Sequence, residues 1–528
     1  MNSHAATLAL ALAASCARAG AAPRHELTLT IDCRHPGHRI SPLIFGVGHS
    51  ERSDADRAEP WELGATAVRW GGNSSSRYNW ELGNAWNTGS DWFFRNVDYS
   101  DKPGAAYARF MDENRAHGVA SALTMPMIGW VAKDTSSASF PVARFGPQLA
   151  LDTDHPGVGN GVAKNGHVLA PDAPQRTSVP APPEMITRWA TRLRSDDREV
   201  ALYFLDNEPT LWHETHRDVH PQPVGYDELL ERTLRYGEAI RRAAPDAVIA
   251  GPALWGFPAL FDSAAGRWDR YAHGGVPLLA WYLRELRAHE QKTGTRIVDV
   301  VDVHFYPQGD GIGLGVEGKT DPETAARRIR SVRALWDPAY RDESWIDEPV
   351  RLLPRLREWI DANYPGRGIS IGEWNFGAER HISSGLATAE TLGRFAEAGV
   401  EAAFYWTAPP RGTPPFWAFR AFRNYDGRGS SFGDLFLGSA SADGASAFAS
   451  LDDSGSRVVI VAINPGSTAA PAMFEIASAG RPRDIHVYTY SAGRTGFEVR
   501  QIPAGARFGL RLPPASISTI EIRLSLDG

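Results

Sequence analysis

Two glutamates stand where two buried strands are predicted to end. Residues 201–212 open with an apolar run that breaks before Asn207 and Glu208, and residues 368–377 repeat this shape around Glu373. A short apolar run closed by polar residues is typical of a strand that ends at a loop. Two carboxylates about 5–5.5 Å apart are what retaining glycoside hydrolysis requires. The sequence therefore predicts Glu208 and Glu373 as a catalytic pair.

Short apolar runs that end in polar residues or Gly recur along the chain and predict its fold. We count eight, at residues 43–47, 65–69, 119–124, 200–205, 247–250, 298–304, 368–373 and 400–406. Helical patterns fall between several of them, at residues 105–117, 183–195, 226–244, 277–293, 349–364 and 387–398. Alternating strands and helices pair in parallel through right-handed crossovers, so the prediction is an α/β fold, a (β/α)8 TIM-like barrel.

Chemistry in such a barrel takes place at the C-terminal ends of the strands. Besides the two glutamates, Arg69, Asn207, His304, Tyr306 and Trp406 lie at predicted strand ends. We predict that these five residues bind substrate on one rim. For His304 a purely structural role in the core is an equal alternative.

Aromatic residues accompany the predicted rim. Long insertions at residues 73–102 and 125–182 are expected to build the walls of a cleft, since loops of this length are usually functional or disordered. Trp92 lies in the first insertion and Trp212 follows Glu208. Indole faces pack against the apolar faces of sugars much as they pack against each other, so both are predicted to contact substrate.

The pattern changes after Thr407, where helical alternation stops at a Pro-rich break over residues 409–415. From about Gly438 onward the alternation is that of strands, at residues 457–463, 472–476, 485–490 and 517–524, and residues 26–33 alternate in the same way. We therefore predict a second domain, an all-β sandwich. The predicted bounds are a signal peptide at 1–22, an N-terminal strand segment joining the sandwich at 23–41, the barrel at 42–425 and the C-terminal sandwich at 426–528.

The N-terminus predicts export. An apolar segment at residues 5–14 precedes Ala17, Arg18 and Ala19, an A-x-A cleavage pattern. We expect a secreted, extracellular protein, with a lipid-anchored form through Cys16 or a periplasmic form as alternatives. No later run reaches ~18 uninterrupted apolar residues, so no transmembrane segment is predicted.

Charge and histidine spacing exclude other classes. The chain has 55 Lys and Arg against 62 Asp and Glu, a formal charge of −7, without a basic stripe, so nucleic acid is not an expected partner. A monomer is expected. The spacing of His213, His216 and His220 differs from H-E-x-x-H, and Asp152 with Asp154 lacks the later glutamate of an EF-hand. No metal site is assigned.

Six ordered blocks resemble glycoside hydrolase family 44, a family of endo-acting β-1,4-glucanases and xyloglucanases. The blocks lie at residues 68–92, 205–221, 251–257, 302–307, 334–346 and 372–387. The resemblance implies a barrel beside a β-sandwich and a β-1,4-linked polysaccharide substrate. It also implies Glu208 as general acid/base and Glu373 as nucleophile, with no cofactor required. Structural calcium occurs in some members, but its ligands are not assigned here. Trp374 departs from the family, which usually has Tyr there.

The implied mechanism is double displacement. Glu208 protonates the leaving oxygen while ionised Glu373 attacks the anomeric carbon, and water then releases the sugar with net retention. Arg69 near Glu373 would favour its charged form, and Tyr306 would donate to it. Asn207 is expected to bind the sugar 2-OH, and Trp406 to form a floor under the reacting ring.

Two alternatives stay open at this stage. The first is a non-catalytic glycan-binding protein on a glycosidase fold, because a fold does not guarantee activity. The second is a retaining β-glycosidase of other specificity, a xylanase or a mannanase. Substitution of the two glutamates and a panel of polysaccharides would distinguish these alternatives from the glucanase.

Overall fold

The computed structural model describes residues 25–49, 56–100, 103–314, 317–478 and 480–525. The predicted signal peptide, including Cys16, lies outside these residues. Within them, no helix is both long and apolar enough to cross a membrane. Cys33 lies within them and is a free thiol.

The chain contains strands of both parallel and antiparallel sheets. In chain order they are β1 (Leu27–Asp32), β2 (Gly46–Gly48), β3 (Ala67–Trp70), β4 (Trp86–Asn87), β5 (Asn96–Val97), β6 (Ala120–Met125), β7 (Trp130–Ala132), β8 (Ser178–Pro180), β9 (Leu202–Leu205), β10 (Ile249–Leu254), β11 (Val300–Phe305), β12 (Gly368–Trp374), β13 (Ala402–Tyr405), β14 (Leu435–Ala442), β15 (Ala445–Leu451), β16 (Arg457–Asn464), β17 (Ala470–Ala477), β18 (Arg481–Ser491), β19 (Glu498–Ile502), β20 (Arg507–Leu512) and β21 (Ser516–Ser525).

The helices lie mainly between the parallel strands. In chain order they are α1 (Pro60–Leu63), α2 (Ala106–Ala116), α3 (Val142–Phe145), α4 (Pro183–Ser195), α5 (Trp212–Thr215), α6 (Tyr226–Ala243), α7 (Arg267–Ala272), α8 (Leu278–Thr293), α9 (Pro322–Ser331), α10 (Leu352–Asn363), α11 (Ile382–Glu397) and α12 (Pro414–Arg423).

Eight parallel strands close into a barrel in the order β2, β3, β6, β9, β10, β11, β12 and β13. Each coincides with one of the eight predicted runs, so the predicted barrel is confirmed. Its interior is filled by alternate residues of the strands, including Ala67, Phe204, Val300 and Phe404. Successive strand residues point to opposite faces, so inward-facing residues recur at every second position up to the C-terminal rim.

Within the described residues, six helices lie outside the predicted ones: the short α1, α3, α5 and α7, and the longer α9 and α12. Helix α9 was not predicted, and α12 begins inside the Pro-rich segment that was expected to be a break. Pro414 and Pro415 occupy the first positions of α12, where a missing N–H costs nothing and the fixed φ suits a helix. Six of the next eight residues are Phe, Trp or Ala, and Phe416, Phe419 and Phe422 are buried. The prolines therefore start this helix.

Two sheets of the C-terminal region share one hydrophobic core. A six-stranded sheet has the order β14, β15, β16, β21, β18 and β19, and a three-stranded sheet has the order β1, β17 and β20. The N-terminal strand β1 pairs in parallel with β17, with Leu29 opposite Phe474. Alternate residues of β1 are buried against both sheets, which gives the separate all-β region that the sequence predicts.

Candidate active site

The two predicted catalytic glutamates meet on the C-terminal rim of the barrel. Glu208 follows β9 and Glu373 lies at the end of β12. One carboxylate oxygen of each, together with a ring nitrogen of His304, lie within 4.8 Å of one another. The side chain of Glu208 is 14% exposed and that of Glu373 is 7% exposed. Glu208 and Glu373 are therefore distant in the sequence but belong to one cluster. This cluster opens to solvent on the Glu208 side.

The turn that carries Glu208 is held by a buried carboxylate. Asp206 accepts hydrogen bonds from the backbone N–H groups of Met127 at 2.5 Å, Ile128 at 3.0 Å and Asn207 at 2.8 Å. Both Asp206 and Glu208 have positive φ, 65° and 45°, a region that non-glycine residues seldom adopt. Asp206 fixes this strained turn against the loop after β6, and sequence reasoning did not predict that role.

Glu373 is surrounded by groups that stabilise its charge. Arg69, fully buried, donates to Oε1 at 2.7 Å, and the Tyr306 hydroxyl donates to Oε2 at 2.8 Å. Burial raises the pKa of Glu373, but the charges of His304 and Arg69 and these hydrogen bonds outweigh it, so the pKa is lowered overall. Burial and the charge of Glu373 keep the pKa of Tyr306 far above its ordinary value. Glu373 is thus held ionised and Tyr306 stays a donor.

His304 lies between the two glutamates. Its Nδ1 is 2.8 Å from Oε1 of Glu208 and 3.5 Å from Oε2 of Glu373. Burial lowers the pKa of His304, whereas the charges of Glu373 and Glu208 raise it, and the net pKa is above its ordinary value. His304 was predicted to contact substrate, but its side chain is fully buried and its ring contacts both carboxylates, so it acts through those two residues.

Asn207 and Arg69 connect β3 to the turn after β9. Arg69 donates from Nη2 to Oδ1 of Asn207 at 2.9 Å, and the amide of Asn207 donates to Asn73 at 3.1 Å. Asn207 is 2% exposed, and the hydrogen bond from Arg69 fixes the orientation of its amide beside Glu208. Arg69 itself, predicted to contact substrate, is fully buried against Glu373 and Asn207. It acts through those two residues rather than at the cleft surface.

Trp406 lies half-buried at the end of β13, over two glycines. A Cβ on Gly48 would come within 2.4 Å of its ring, and a Cβ on Gly72 within 2.7 Å. Glycine at both positions lets the indole lie flat against the barrel rim, next to the Arg69 strand. One face of Trp406 is therefore supported by backbone, the arrangement expected for a sugar-stacking floor.

The two other predicted tryptophans, Trp92 and Trp212, lie in different environments. Trp92 is half-buried in the loop before β5, in edge contact with Phe93 at 5.4 Å. The prediction for Trp212 is wrong: its ring is fully buried at the start of α5, between His220 and the Arg232 guanidinium. A short helix after Glu208 turns that side chain inward, so it supports the turn and offers no face to a sugar.

The structure tests the candidate metal ligands as well. Asp152 is fully buried and its carboxylate lies 3.1 Å from the Arg95 guanidinium, so it is paired with a cation of the protein. Among the described residues, Glu208, His304 and Glu373 are the one group of three or more with metal-ligand spacing, and they are the candidate catalytic residues themselves. Structural calcium therefore stays a prediction without assigned ligands.

Known proteins resemble this chain in both sequence and structure. Residues 85–309 match glycoside hydrolase family 44. The solved structure of CelM2, a bifunctional glucanase-xylanase from a metagenome library, is 33% identical, with a TM-score of 0.86 over 95% of this chain and 99% of that chain. The chain belongs to glycoside hydrolase family 44. The resemblance found in the six sequence blocks is confirmed.

Two other proteins are similar over most of the chain. A xyloglucanase from Paenibacillus polymyxa, solved with xyloglucan, is 28% identical, with a TM-score of 0.77 over 95% of this chain and all of that chain. Endoglucanase A from Paenibacillus lautus is 31% identical over 467 residues, 83% of this chain and 64% of that protein. The chain thus spans about two thirds of the length of that curated relative.

The structure shows the surroundings of Trp374, which stands where the resemblance to the family led us to expect Tyr. Its side chain is fully buried and points away from the cleft, in edge contact with Tyr405 at 5.0 Å and stacked with Phe419 at 6.3 Å. The substitution lies in the layer between barrel and helices, so it does not alter the groups around Glu373.

Proposed function

We propose that this protein is a retaining endo-β-1,4-glucanase that hydrolyses β-1,4-glucan or xyloglucan. The observation that carries the proposal is the close pairing of Glu208 and Glu373, whose oxygens lie within 4.8 Å. An inverting enzyme needs about 6.5–9.5 Å between its carboxyl groups to admit water, so this spacing favours direct attack by Glu373.

The environments of the two glutamates assign their roles. Glu373 is ionised, oriented by Arg69 and Tyr306, and suited to attack the anomeric carbon. Glu208 is the more exposed of the two and faces the cleft, where it donates a proton to the leaving oxygen. When Glu373 becomes an ester its charge is lost, and Glu208 then accepts a proton from the attacking water.

The substrate class is supported by the relatives. Family 44 structures that resemble this chain include a xyloglucanase solved with xyloglucan. Incubation with carboxymethylcellulose and xyloglucan should release reducing ends throughout the polymer, with a rapid fall in viscosity. Glu373→Gln, which preserves the shape of the side chain without the nucleophile, is the matched control and should release none. Failure to cut any β-glycan would refute the proposal and favour the binding-protein alternative.

A second specificity is favoured by one comparison. CelM2, the bifunctional glucanase-xylanase, shares the highest TM-score among the structures reported above. Xylan therefore belongs in the substrate panel, together with mannan, the other specificity that the sequence left open. A kcat/KM on xylan or mannan above that on xyloglucan would replace the glucanase assignment while leaving the two-glutamate mechanism intact.

Export is the remaining part of the proposal, and it is supported by the sequence of residues 1–22. Expression in a bacterial host should deliver the protein outside the cytoplasm with its N-terminus trimmed near Ala19. N-terminal sequencing of the exported protein tests this, and mass spectrometry distinguishes it from a lipid-modified form that begins at Cys16. Retention of Met1 in the exported fraction would contradict both.

A further inference from the structure

A buried carboxylate lies directly beneath the catalytic cluster. Asp302 is fully buried in β11, two residues before His304 and on the same, inward face of the barrel. Neither of its oxygens has a well-formed hydrogen bond among the described residues, although Ser370 lies opposite it on β12. The family assignment gave Asp302 no role. An ionisable group buried in this way disfavours folding, and such groups concentrate at functional sites.

The barrel is shaped to admit this carboxylate. A Cβ on Gly372 would come within 2.6 Å of one Asp302 oxygen and 2.7 Å of the other. A side chain at residue 372 would therefore displace Asp302. Glycine immediately before the nucleophile Glu373 gives Asp302 space on the inner wall, so two neighbouring strands together accommodate the buried charge.

The imidazole of His304 lies between Asp302 and the glutamates. Its Nε2 is 3.9 Å from Oδ2 of Asp302 and, among the described residues, has no hydrogen-bond partner. Its Nδ1 contacts Glu208 at 2.8 Å and Glu373 at 3.5 Å. Each ring nitrogen thus faces a carboxylate, an arrangement that favours a proton on both nitrogens.

We infer that Asp302 is a positioning residue that keeps His304 protonated on both ring nitrogens, with Nε2–H facing Asp302 and Nδ1–H directed at the Glu208–Glu373 pair. This inference rests on the proposed function. When Nδ1–H donates to Oε1 of Glu208, the acidic proton of Glu208 resides on its other oxygen, where it can reach the leaving group. The charges then balance, because Asp302 and Glu373 are negative, His304 and Arg69 are positive, and Glu208 is neutral.

The inference carries a pH dependence. The charged groups that face Asp302 are His304 on its own strand, Arg69 from β3 and Glu373 from β12. Burial raises the pKa of Asp302 to about 6, with His304 and Arg69 opposing the rise. Asp302 is therefore ionised above about pH 6 and neutral below it, so its influence on His304 exists only on the alkaline side.

Asp302→Asn is the direct test, because asparagine resembles the neutral carboxylic acid. Above about pH 7, kcat on xyloglucan should fall by about 10- to 100-fold with little change in KM, the range typical when a carboxylate that orients a histidine is removed. The ratio of wild-type to variant kcat should approach one below about pH 5, where the wild-type carboxylate is also neutral. A packing defect would instead give a ratio independent of pH, and that result would overturn the inference.

Nuclear magnetic resonance of histidine ring nitrogens provides a readout independent of hydrolysis. His304→Asn identifies the His304 signal by its loss. At neutral pH the wild-type ring should carry protons on both nitrogens, and the Asp302→Asn ring should carry one. An unchanged His304 signal in Asp302→Asn would contradict the inference. If the ring responds as expected but no β-glycan is cut, the proposed function fails and the inference about His304 stands.

A matched control lies far from the site. Glu521 is a buried carboxylate of β21 that accepts a hydrogen bond from Tyr425 at 2.7 Å. Glu521→Gln should leave both the His304 signal and the pH dependence of kcat unchanged. If Asp302→Asn does not yield folded protein, Asp302→Ser, which is smaller and also uncharged, carries the same expectations.

Discussion

At the scale of single residues, the proposed catalysis depends on how the charge of Glu373 is maintained. Arg69 and Tyr306 each hold one of its oxygens, at 2.7 and 2.8 Å, and His304 adds a positive charge nearby. Both hydrogen bonds favour the ionised form, so they oppose the effect of burial. The proposed nucleophile is therefore oriented and ionised before substrate arrives, and Arg69 is buried beside it.

Replacement of each glutamate should separate their roles. Glu373→Ala should abolish turnover of every substrate, because it removes the proposed nucleophile. Glu208→Ala should lower kcat on polysaccharide by about 10²–10⁴-fold, the usual contribution of a general acid. Glycosides with an activated aryl leaving group need little protonation, so their first step should be affected far less. Steady-state kinetics on both substrate types measure this, and equal losses would contradict the acid assignment.

Tyr306→Phe should move the acid limb of the kcat/KM profile to higher pH. The pKa of Glu373 is lowered in part by the Tyr306 hydroxyl, so loss of that hydrogen bond raises the pKa, and Glu373 becomes protonated at a higher pH. Tyr405→Phe is a matched control, since Tyr405 donates to the buried Glu379 at 2.9 Å and does not contact Glu373. An acid limb that stays in place in Tyr306→Phe, or moves equally in both variants, would refute the role of Tyr306.

The sequence predicts most residues of the cluster, but not those beneath it. Glu208, Glu373, Arg69 and His304 stand at strand ends, where parallel strands bring distant positions together. Asp302 was missed because a carboxylate inside a strand gives no signal of its own. The available signal was the two-residue period of a strand. In VVDVHF, Asp302 and His304 are two residues apart and must therefore share a face.

At the scale of secondary-structure elements, the close approach of two glycines to the Trp406 ring sets the height of the proposed cleft floor. Gly48 ends β2 and Gly72 follows β3, and both lie under the indole of Trp406. A residue with a side chain at either position would lift the ring from the rim. The loops that bring Gly48 and Gly72 together with β13 therefore determine the height of the Trp406 ring, the proposed floor beneath the reacting sugar.

Gly48→Ala tests this arrangement. The added methyl group would lie 2.4 Å from the Trp406 ring, so the indole must shift. We expect kcat/KM on xyloglucan to fall by about tenfold to a hundredfold, since a displacement of about 1 Å at a positioning group has this effect. Gly157→Ala is the control, because a Cβ there meets nothing within 4 Å. Unchanged kinetics in Gly48→Ala would show that Trp406 is not the floor.

The sequence predicts the strands correctly because their apolar runs are complete. It does not predict the direction of a side chain that is set by the local turn and its neighbours. The eight barrel strands are short apolar runs, and each was found in its predicted place. Trp212 follows a catalytic strand, as a cleft residue would, but α5 directs it into the core against His220. The direction of a side chain after a tight turn depends on the turn's φ values, which the sequence around Glu208 does not reveal.

At the scale of the whole molecule, two helices connect the barrel to the all-β region. The Thr519 hydroxyl of β21 donates to the Ala421 carbonyl of α12 at 2.7 Å, and the Tyr425 hydroxyl donates to Glu521. On α11, Gly393 lies so close to Phe448 of β15 that a Cβ would come within 2.3 Å of its ring. The six-stranded sheet thus covers a face of the barrel. The domain bounds at residues 41 and 425 stay predictions, as does a monomeric state.

This interface should make the two regions unfold together. Phe448 is fully buried against the barrel helices, so Phe448→Ala should lower the free energy of unfolding by about 3–5 kcal/mol. Tryptophan fluorescence and residual activity should then follow one shared denaturant transition, at a lower midpoint than in the wild type. Val499→Ala, at a position 55% exposed, is the control and should change little. Separate transitions for the barrel and the sheets would contradict this coupling.

The proposed retaining mechanism requires that Glu208 and Glu373 lie close enough for a covalent intermediate, without room for a water molecule between them. Proton NMR of the products during the first minutes of hydrolysis of a β-1,4-gluco-oligosaccharide measures this most directly. If Glu373 is the nucleophile, the new reducing end appears first as the β-anomer and then equilibrates by mutarotation. Initial appearance of the α-anomer would mean inversion, and the assignment of Glu373 as nucleophile would be wrong.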